Sequence, residues 1–179
     1  DIPELKGLAE RCNSIAVGPG LGLEEETKIA ILSFMKEVGK DKPMLVDADA
    51  LKALSEEPEC LKDYPAIITP HAGEFEIVTH SKIAPPDRLE DRIEQVKKEA
   101  KRMGLTILLK GHEDIISDGD RFKIKTTGNP GMTVGGTGDV LSGIASTFLA
   151  WGIKPFRAAC AAAFVSGFAG DLAVKDRGY

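Results

Sequence analysis

Ser14-Ile-Ala-Val17 runs without a break into Gly18-Pro-Gly-Leu-Gly22, and a short apolar run emptying into a glycine turn is the event that decides the fold. Four such residues are too few for a helix and suit a strand inside a sheet. The event recurs three times. Pro43-Met-Leu-Val46 ends at Asp47, Ala66-Ile-Ile-Thr69 ends at Pro70-His71, and Thr106-Ile-Leu-Leu109 ends at Lys110-Gly111. Helical patterns lie between these runs. An amphipathic helix is predicted over 24–38, with three glutamates in its first turn to complement the dipole and Gly39 as its stop. A short helix follows over 49–54, then a helical turn over 73–79 carrying Glu74 and Glu76. After Pro85-Pro86 comes a charged-faced helix over 87–103, capped by Asp87. Strands alternating with helices predict an α/β fold: three layers, with a mainly parallel central sheet and helices on both faces. The unusual residues all fall just past the carboxyl end of a strand, the edge where open parallel sheets bind ligands.

Further along, 114–117 and 121–125 flank Asp118-Gly119 and read as a hairpin. A glycine-rich loop over 128–138 then leads to two apolar helices, 139–151 and 155–174. No repeat, low-complexity tract or linker interrupts the 179 residues, so 1–179 reads as a single domain. With 42% hydrophobic and 28% charged residues, disorder is excluded. The net charge of −5 argues against a coat for nucleic acid or an anionic membrane, since both need a basic footprint. It leaves room for a local anion site. Cys12, Cys60 and Cys160 are odd in number and form no C-x-x-C pair, which fits buried thiols in a reducing compartment. The apolar stretch 158–169 is too short for a span of ~20 residues and reads as a buried core helix. The opening residues carry no basic-then-apolar signal, so a cytoplasmic protein is expected, with no membrane or nucleic-acid partner.

The chemistry concentrates in Thr127-Gly-Asn-Pro-Gly-Met-Thr-Val-Gly-Gly-Thr-Gly-Asp139 and the helix that follows. Gly135, Gly136 and Gly138 permit backbone angles that let successive N–H groups converge on one point. The helix adds free N–H groups and the positive end of its dipole. Such a loop is an anion hole for a phosphoryl group. A carboxylate beside a phosphate repels it as a ligand, so Asp139 makes sense as the general base for a hydroxyl attacking that phosphate. The loop is not a Walker P-loop, for no Gly-Lys-Ser/Thr occurs, and 18–22 is not the G-x-G-x-x-G of a dinucleotide fold. Taken alone, several of these residues have plainer readings. Asp139 suits a helix cap, His71 a loop histidine satisfied by backbone, Lys110 a solvated charge, and Asn129 a turn starter before proline. Gly18–Gly22 suits a tight turn equally well, and Asp47 and Asp49 suit helix caps as well as a metal-linked role.

Together, Val17-Gly-Pro-Gly-Leu-Gly22, Val46-Asp-Ala-Asp-Ala-Leu51, Thr69-Pro-His-Ala-Gly-Glu-Phe75, Leu109-Lys-Gly-His-Glu-Asp114 and Asn129-Pro-Gly-Met-Thr-Val-Gly-Gly-Thr-Gly-Asp-Val-Leu141 resemble the ADP/ATP-dependent NAD(P)H-hydrate dehydratases. These belong to the carbohydrate-kinase-like branch of the ribokinase-like superfamily. The resemblance implies repair of hydrated NADH or NADPH: a phosphoryl group passes from ADP or ATP to the ring hydroxyl, and phosphate is then eliminated. It implies Asp139 as the base, with Gly136, Thr137 and Gly138 at the transferring phosphate. Lys110, Gly111, His112, Glu113 and Asp114 would line the nucleotide, although His112 and Glu113 are expected to be exposed. Gly20, Gly22, His71 and Asn129 would contact the hydrated dinucleotide, together with Asp139. Mg2+ is expected for phosphoryl transfer, yet no motif names its ligands. The partners implied are small molecules, and a homo-oligomer is expected. Family members carry an upstream segment with early strands that this chain lacks, so an exposed sheet edge is expected. Lys52 stands where the family often has Asn. Two further readings are a small-molecule kinase acting on a vitamin precursor or sugar, and a nucleotide-binding module without catalysis.

Overall fold

The computed structural model describes residues 2–178. Its strands are β1 (Ile15–Val17), β2 (Met44–Val46), β3 (Ala66–Ile68), β4 (Thr106–Leu109), β5 (Ile115–Ser117) and β6 (Phe122–Ile124). Its helices are α1 (Ile2–Glu10), α2 (Glu25–Val38), α3 (Asp49–Leu54), α4 (Ala72–Thr79), α5 (Leu89–Met103), α6 (Thr137–Ala150) and α7 (Pro155–Arg177). The strands form one sheet in sequence order, with β1 to β4 parallel and the β5–β6 hairpin antiparallel. Among the described residues β1 pairs with β2 alone, so its other edge is unpaired.

Strand order and handedness decide where the helices lie. Parallel neighbours joined in sequence by right-handed crossovers put every crossover helix on the same face. Alternation along the strands then sorts the core. Met44 and Val46, Ala66 and Ile68, and Ile107 and Leu109 pack beneath α2 to α5, with Met35, Leu51, Phe75 and Met103. Leu45, Ile67, Leu108 and Ile116 point the other way, onto α6 and α7. That second layer is built from Ala145, Ala158, Ala159, Ala162 and Ala163, small enough to bring both helices close to the sheet. The predicted three-layer α/β architecture is the observed one.

Several local expectations need correcting. α5 begins at Leu89 with Arg88 at its N-cap and no side-chain cap, because Asp87 lies one residue too early. Gly39 does end α2 as expected, but in a right-handed conformation (φ −62°), so its glycine is required by space: a Cβ there would stand 2.6 Å from the Met35 carbonyl oxygen. Among the described residues the N-terminal helix α1 was not foreseen, and it buries only Ala9 while Leu5 and Leu8 stay exposed. The thiols are not all buried, for Cys12 is exposed and Cys60 and Cys160 are half-buried. Burial pushes the Cys60 thiol up to about 11 and raises that of Cys160.

α7 departs most from expectation. At 23 residues it is long and apolar enough to cross a membrane by length and composition. It is a core helix on one face only. Ala158, Ala159, Ala162 and Ala163 lie on the sheet, while Phe164, Val165, Phe168 and Leu172 are exposed and the rings of Phe164 and Phe168 stack at 5.9 Å.

Candidate active site

The four parallel strands deliver their C-terminal residues to one edge. Asp47, just past β2, is 1% exposed and is held from two sides. Its Oδ1 accepts from Lys110 Nζ at 3.0 Å, and its Oδ2 accepts from Ser142 Oγ of α6 at 2.7 Å. Thr69, at the end of β3, shares the Ser142 hydroxyl at 3.4 Å. Lys110 is fixed by its own backbone, for its N–H donates to Pro70 O at 2.7 Å and it bridges to His71 beside it. Its ammonium also lies 3.8 Å from Glu74 Oε2. A cation held between two carboxylates in a partly buried site makes each partner depend on the others, because removing it leaves charge in a poor solvent.

The turn between β2 and α3 aims these groups. Gly18 (φ +143°) packs on the Asp47 carbonyl so closely that any Cβ would collide with it. Ala48 has φ +48° and ψ −123°, a strained conformation for a residue with a side chain. It turns Asp47 inward, while Asp49 accepts the Gly22 N–H at 3.0 Å. Neither aspartate caps α3, whose N-cap is Ala48.

α6 starts two residues earlier than the sequence suggests. Gly136 is its N-cap in the left-handed region (φ +91°), so Gly138 and Asp139 lie within its first turn. The place a Cβ would take on Gly138 lies 3.6 Å from Lys110 Nζ, an ordinary contact distance, so the ammonium stands beside the first turn of α6. The first-turn amides have no helical acceptor and remain available to an anion. Asp139 is exposed beside them. Thr137, expected at the phosphate, turns its hydroxyl back onto Met132 O (3.1 Å) and Val134 O (3.0 Å).

The remaining sequence candidates are distributed around this edge. His71 is the N-cap of α4: its Nδ1 accepts the Glu74 N–H at 3.2 Å while Glu74 Oε2 accepts the His71 N–H at 2.8 Å. This reciprocal capping box fixes the ring with the proton on Nε2 and leaves most of it in solvent. Gly20 (φ +72°) and Gly22 (φ +83°) are exposed with open space around them. His112 and Glu113 are exposed as anticipated. Asp114 is 4% exposed, accepts the Gly111 N–H at 3.0 Å and pairs with Lys125 at 2.8 Å, so it shapes the 110–114 turn. Asn129 caps the 3-10 turn Pro130–Met132 through its Oδ1, which accepts the Gly131 N–H at 2.9 Å. Its amide is taken by Asp171 at 3.0 Å. Thr69, Ser142 and Asp171 were missed by the sequence reading. Their signal was faint: isolated polar residues ending or interrupting apolar runs.

For Mg2+ the donor set is poor. Among the described residues no group of three or more His, Cys, Asp or Glu could hold a metal ion. The carboxylates that do converge, Asp47 and Glu74, already have oxygens engaged by Lys110, Ser142 and the His71 N–H. The described residues build no metal cage.

A mainly parallel sheet whose C-terminal edge carries a lysine beside a glycine-fronted helix N-terminus defines an α/β protein of the ribokinase-like class. The fold matches a ribokinase-like superfamily protein of Enterococcus faecalis with a TM-score of 0.79 at 27% identity, over 97% of this chain and 60% of that one. The sequence model of the NAD(P)H-hydrate dehydratase family matches residues 4–179, and the chain belongs to that family. It is 46% identical over 179 residues to a bifunctional NAD(P)H-hydrate repair enzyme of Pyrobaculum aerophilum, covering 99% of this chain and 34% of the relative. An ADP/ATP-dependent NAD(P)H-hydrate dehydratase of Bacillus subtilis, co-crystallized with ATP/Mg2+, superposes with a TM-score of 0.74 at 30% identity, over 93% of this chain and 57% of that chain. The chain thus spans about a third of the curated relative and a little over half of the solved one.

Proposed function

We propose that this chain carries the phosphoryl-transfer and elimination site of a nucleotide-dependent dehydratase acting on hydrated NADH or NADPH. The observation that carries the reading is the approach of Lys110 to Gly138 at the α6 N-terminus, with Asp139 next along the helix. Hydroxide is a poor leaving group and phosphate a good one, so phosphorylating the ring hydroxyl converts a hard dehydration into an easy one. Asp139 takes the hydroxyl proton as the oxygen attacks the terminal phosphorus of ADP or ATP. The P–O bond to the nucleotide breaks, and the nucleotide leaves one phosphate shorter. The ammonium of Lys110 and the amides of Gly136, Thr137 and Gly138 meet the charge spreading over the phosphoryl oxygens. The carbon–oxygen bond then breaks, phosphate departs with the electron pair, and loss of a proton from the ring restores the dihydronicotinamide.

Gly111, His112 and Glu113 line the nucleotide on the turn that Asp114 shapes. Gly20, Gly22, His71 and Asn129 border the hydrated dinucleotide. Mg2+ comes with the phosphates of the nucleotide, which supply the oxygens the chain does not. A single domain over 1–179, homo-oligomeric assembly and a reducing cytoplasm belong to the same reading, the last supported by three free thiols.

The test is incubation with enzymatically prepared NADH hydrate and either nucleotide. Recovery of dihydronicotinamide absorbance with one inorganic phosphate released per turnover is expected. A stable phosphorylated product would make the protein a small-molecule kinase, and nucleotide binding without any turnover would make it a binding module.

A further inference from the structure

We infer that Asp171 of α7 is a positioning residue for the phosphoryl site, fixing the glycine-rich segment from behind and thereby setting where the first turn of α6 stands. The inference rests on the activity proposed above for what is positioned, and on geometry alone for how.

Asp171 uses both carboxylate oxygens on the entrance of the segment. Its Oδ2 accepts the Gly128 N–H at 2.9 Å and its Oδ1 accepts from Asn129 Nδ2 at 3.0 Å. These bonds hold the carboxyl below its ordinary range, the Gly128 N–H being the larger cause and the Asn129 amide the next. Two glycines on the same face of α7 make the approach possible. A Cβ on Gly167 would stand 2.8 Å from the Thr127 carbonyl group and collide with its side chain, and a Cβ on Gly170 would collide with the Met132 thioether. Thr127 also donates from its hydroxyl to Phe164 O at 3.4 Å. Backbone, carboxylate and thioether therefore dock residues 127–132 onto α7 as one unit.

The docking reaches the site through unbroken bonds. Asn129, oriented by Asp171, accepts the Gly131 N–H through its side chain, and its carbonyl accepts the Met132 N–H at 3.0 Å. The Met132 carbonyl in turn accepts from Val134 N at 2.8 Å and from Thr137 Oγ1 at 3.1 Å. Thr137 is the first residue of α6, immediately before Gly138 and Asp139. A loosened anchor on α7 is thus felt where phosphoryl oxygens are to be met, and displacements near 1 Å at such a site can cost on the order of 100-fold in rate. Asp171 touches neither Lys110 nor the α6 amides, so it acts only through the segment.

Two variants and two readouts test this. In Asp171→Ala, amide hydrogen exchange across 128–138 should rise at least tenfold while exchange in β2 to β4 stays unchanged. Turnover of NADH hydrate should fall at least tenfold in kcat with a smaller change in KM for the nucleotide. Asp171→Asn, which keeps an acceptor for the Gly128 N–H but sets its amide against that of Asn129, should fall between native and Ala. It decides the matter if the Ala variant does not fold. Unchanged exchange across 128–138, or an equal rise throughout the molecule, overturns the inference. If native protein shows no turnover, the activity reading fails while the exchange arm still decides whether Asp171 positions the segment.

Discussion

The two halves of the glycine-rich segment are treated in opposite ways. Residues 127–132 are tethered to α7: Gly128 has Met132 Sδ at 3.2 Å and Gly167 Cα at 3.5 Å from where its Cβ would be, and Asp171 holds its N–H. Past Thr133 and Val134, whose N–H groups donate to Pro130 O and Met132 O, the glycines of residues 135–138 stand nearly open. Cβ atoms on Gly135 and Gly136 would meet nothing within 4 Å, and the one close neighbour of Gly138 is Lys110. An anion hole must keep its donors unpaired until the ligand arrives, which costs stability. The protein concentrates its tethers next door, where they fix the loop without using up the amides. Glycine serves different ends for the two halves: on α7, Gly167 and Gly170 make room for the first half to pack, while within the second Gly136 forms a left-handed cap.

That contrast can be broken experimentally, beginning with its functional end. Asp139→Asn keeps the shape of the bare half and removes its base, so kcat should drop by about 10²- to 10⁴-fold while nucleotide still binds. Undiminished recovery of NADH absorbance would refute the assignment. Lys110→Met removes the side chain that stands beside Gly138 and leaves Asp47 buried without its cation. An unfolding free energy lower by about 3 kcal/mol, with weaker nucleotide binding, is expected in denaturant melts and nucleotide titration. A variant as stable as native would mean the Asp47–Lys110 pair is not what holds this edge.

Gly167→Ala and Gly135→Ala compare the halves directly. The first forces a methyl against Thr127 backbone and should cost about 2 kcal/mol. The second enters open space and should leave stability within about 0.5 kcal/mol. Equal costs would erase the distinction. The smallest effect concerns pH. Hydrogen bonds favour the Asp171 carboxylate in the folded protein, so its folded value lies below the ordinary 3.8. The tether is therefore complete above that value and is lost only as the pH falls beneath it. Protection of 128–138, corrected for intrinsic exchange, should stay level from neutrality to about pH 4; a decline centred near about pH 6 would point to a histidine instead.

Much of this molecule was legible locally. β4 and α3 occupy the residues the sequence assigned to them, because a buried strand declares itself by an apolar run and a short helix by its flanking turns. The convergence of Gly18, Asp47, His71 and Lys110 on one edge followed from strand polarity alone. Other features were not legible. His71 looked like a loop residue or a ligand, and its role as an α4 cap appears only once Glu74 is folded back onto it. α7 read as wholly buried, since composition records that a helix is apolar and not which of its faces meets the sheet.

From its sequence alone the chain determined its alternating elements, the polarity of the parallel strands and a glycine-fronted helix carrying a carboxylate. Those properties depend on neighbours a few residues away. Only the tertiary structure joined Asp47 to Lys110 across 63 positions and to Ser142 across 95, and Asp171 to Gly128 across 43. Periodicity says which face a residue takes. The partner it meets there depends on how the sheet is ordered and on how closely alanine and glycine allow the helices to approach.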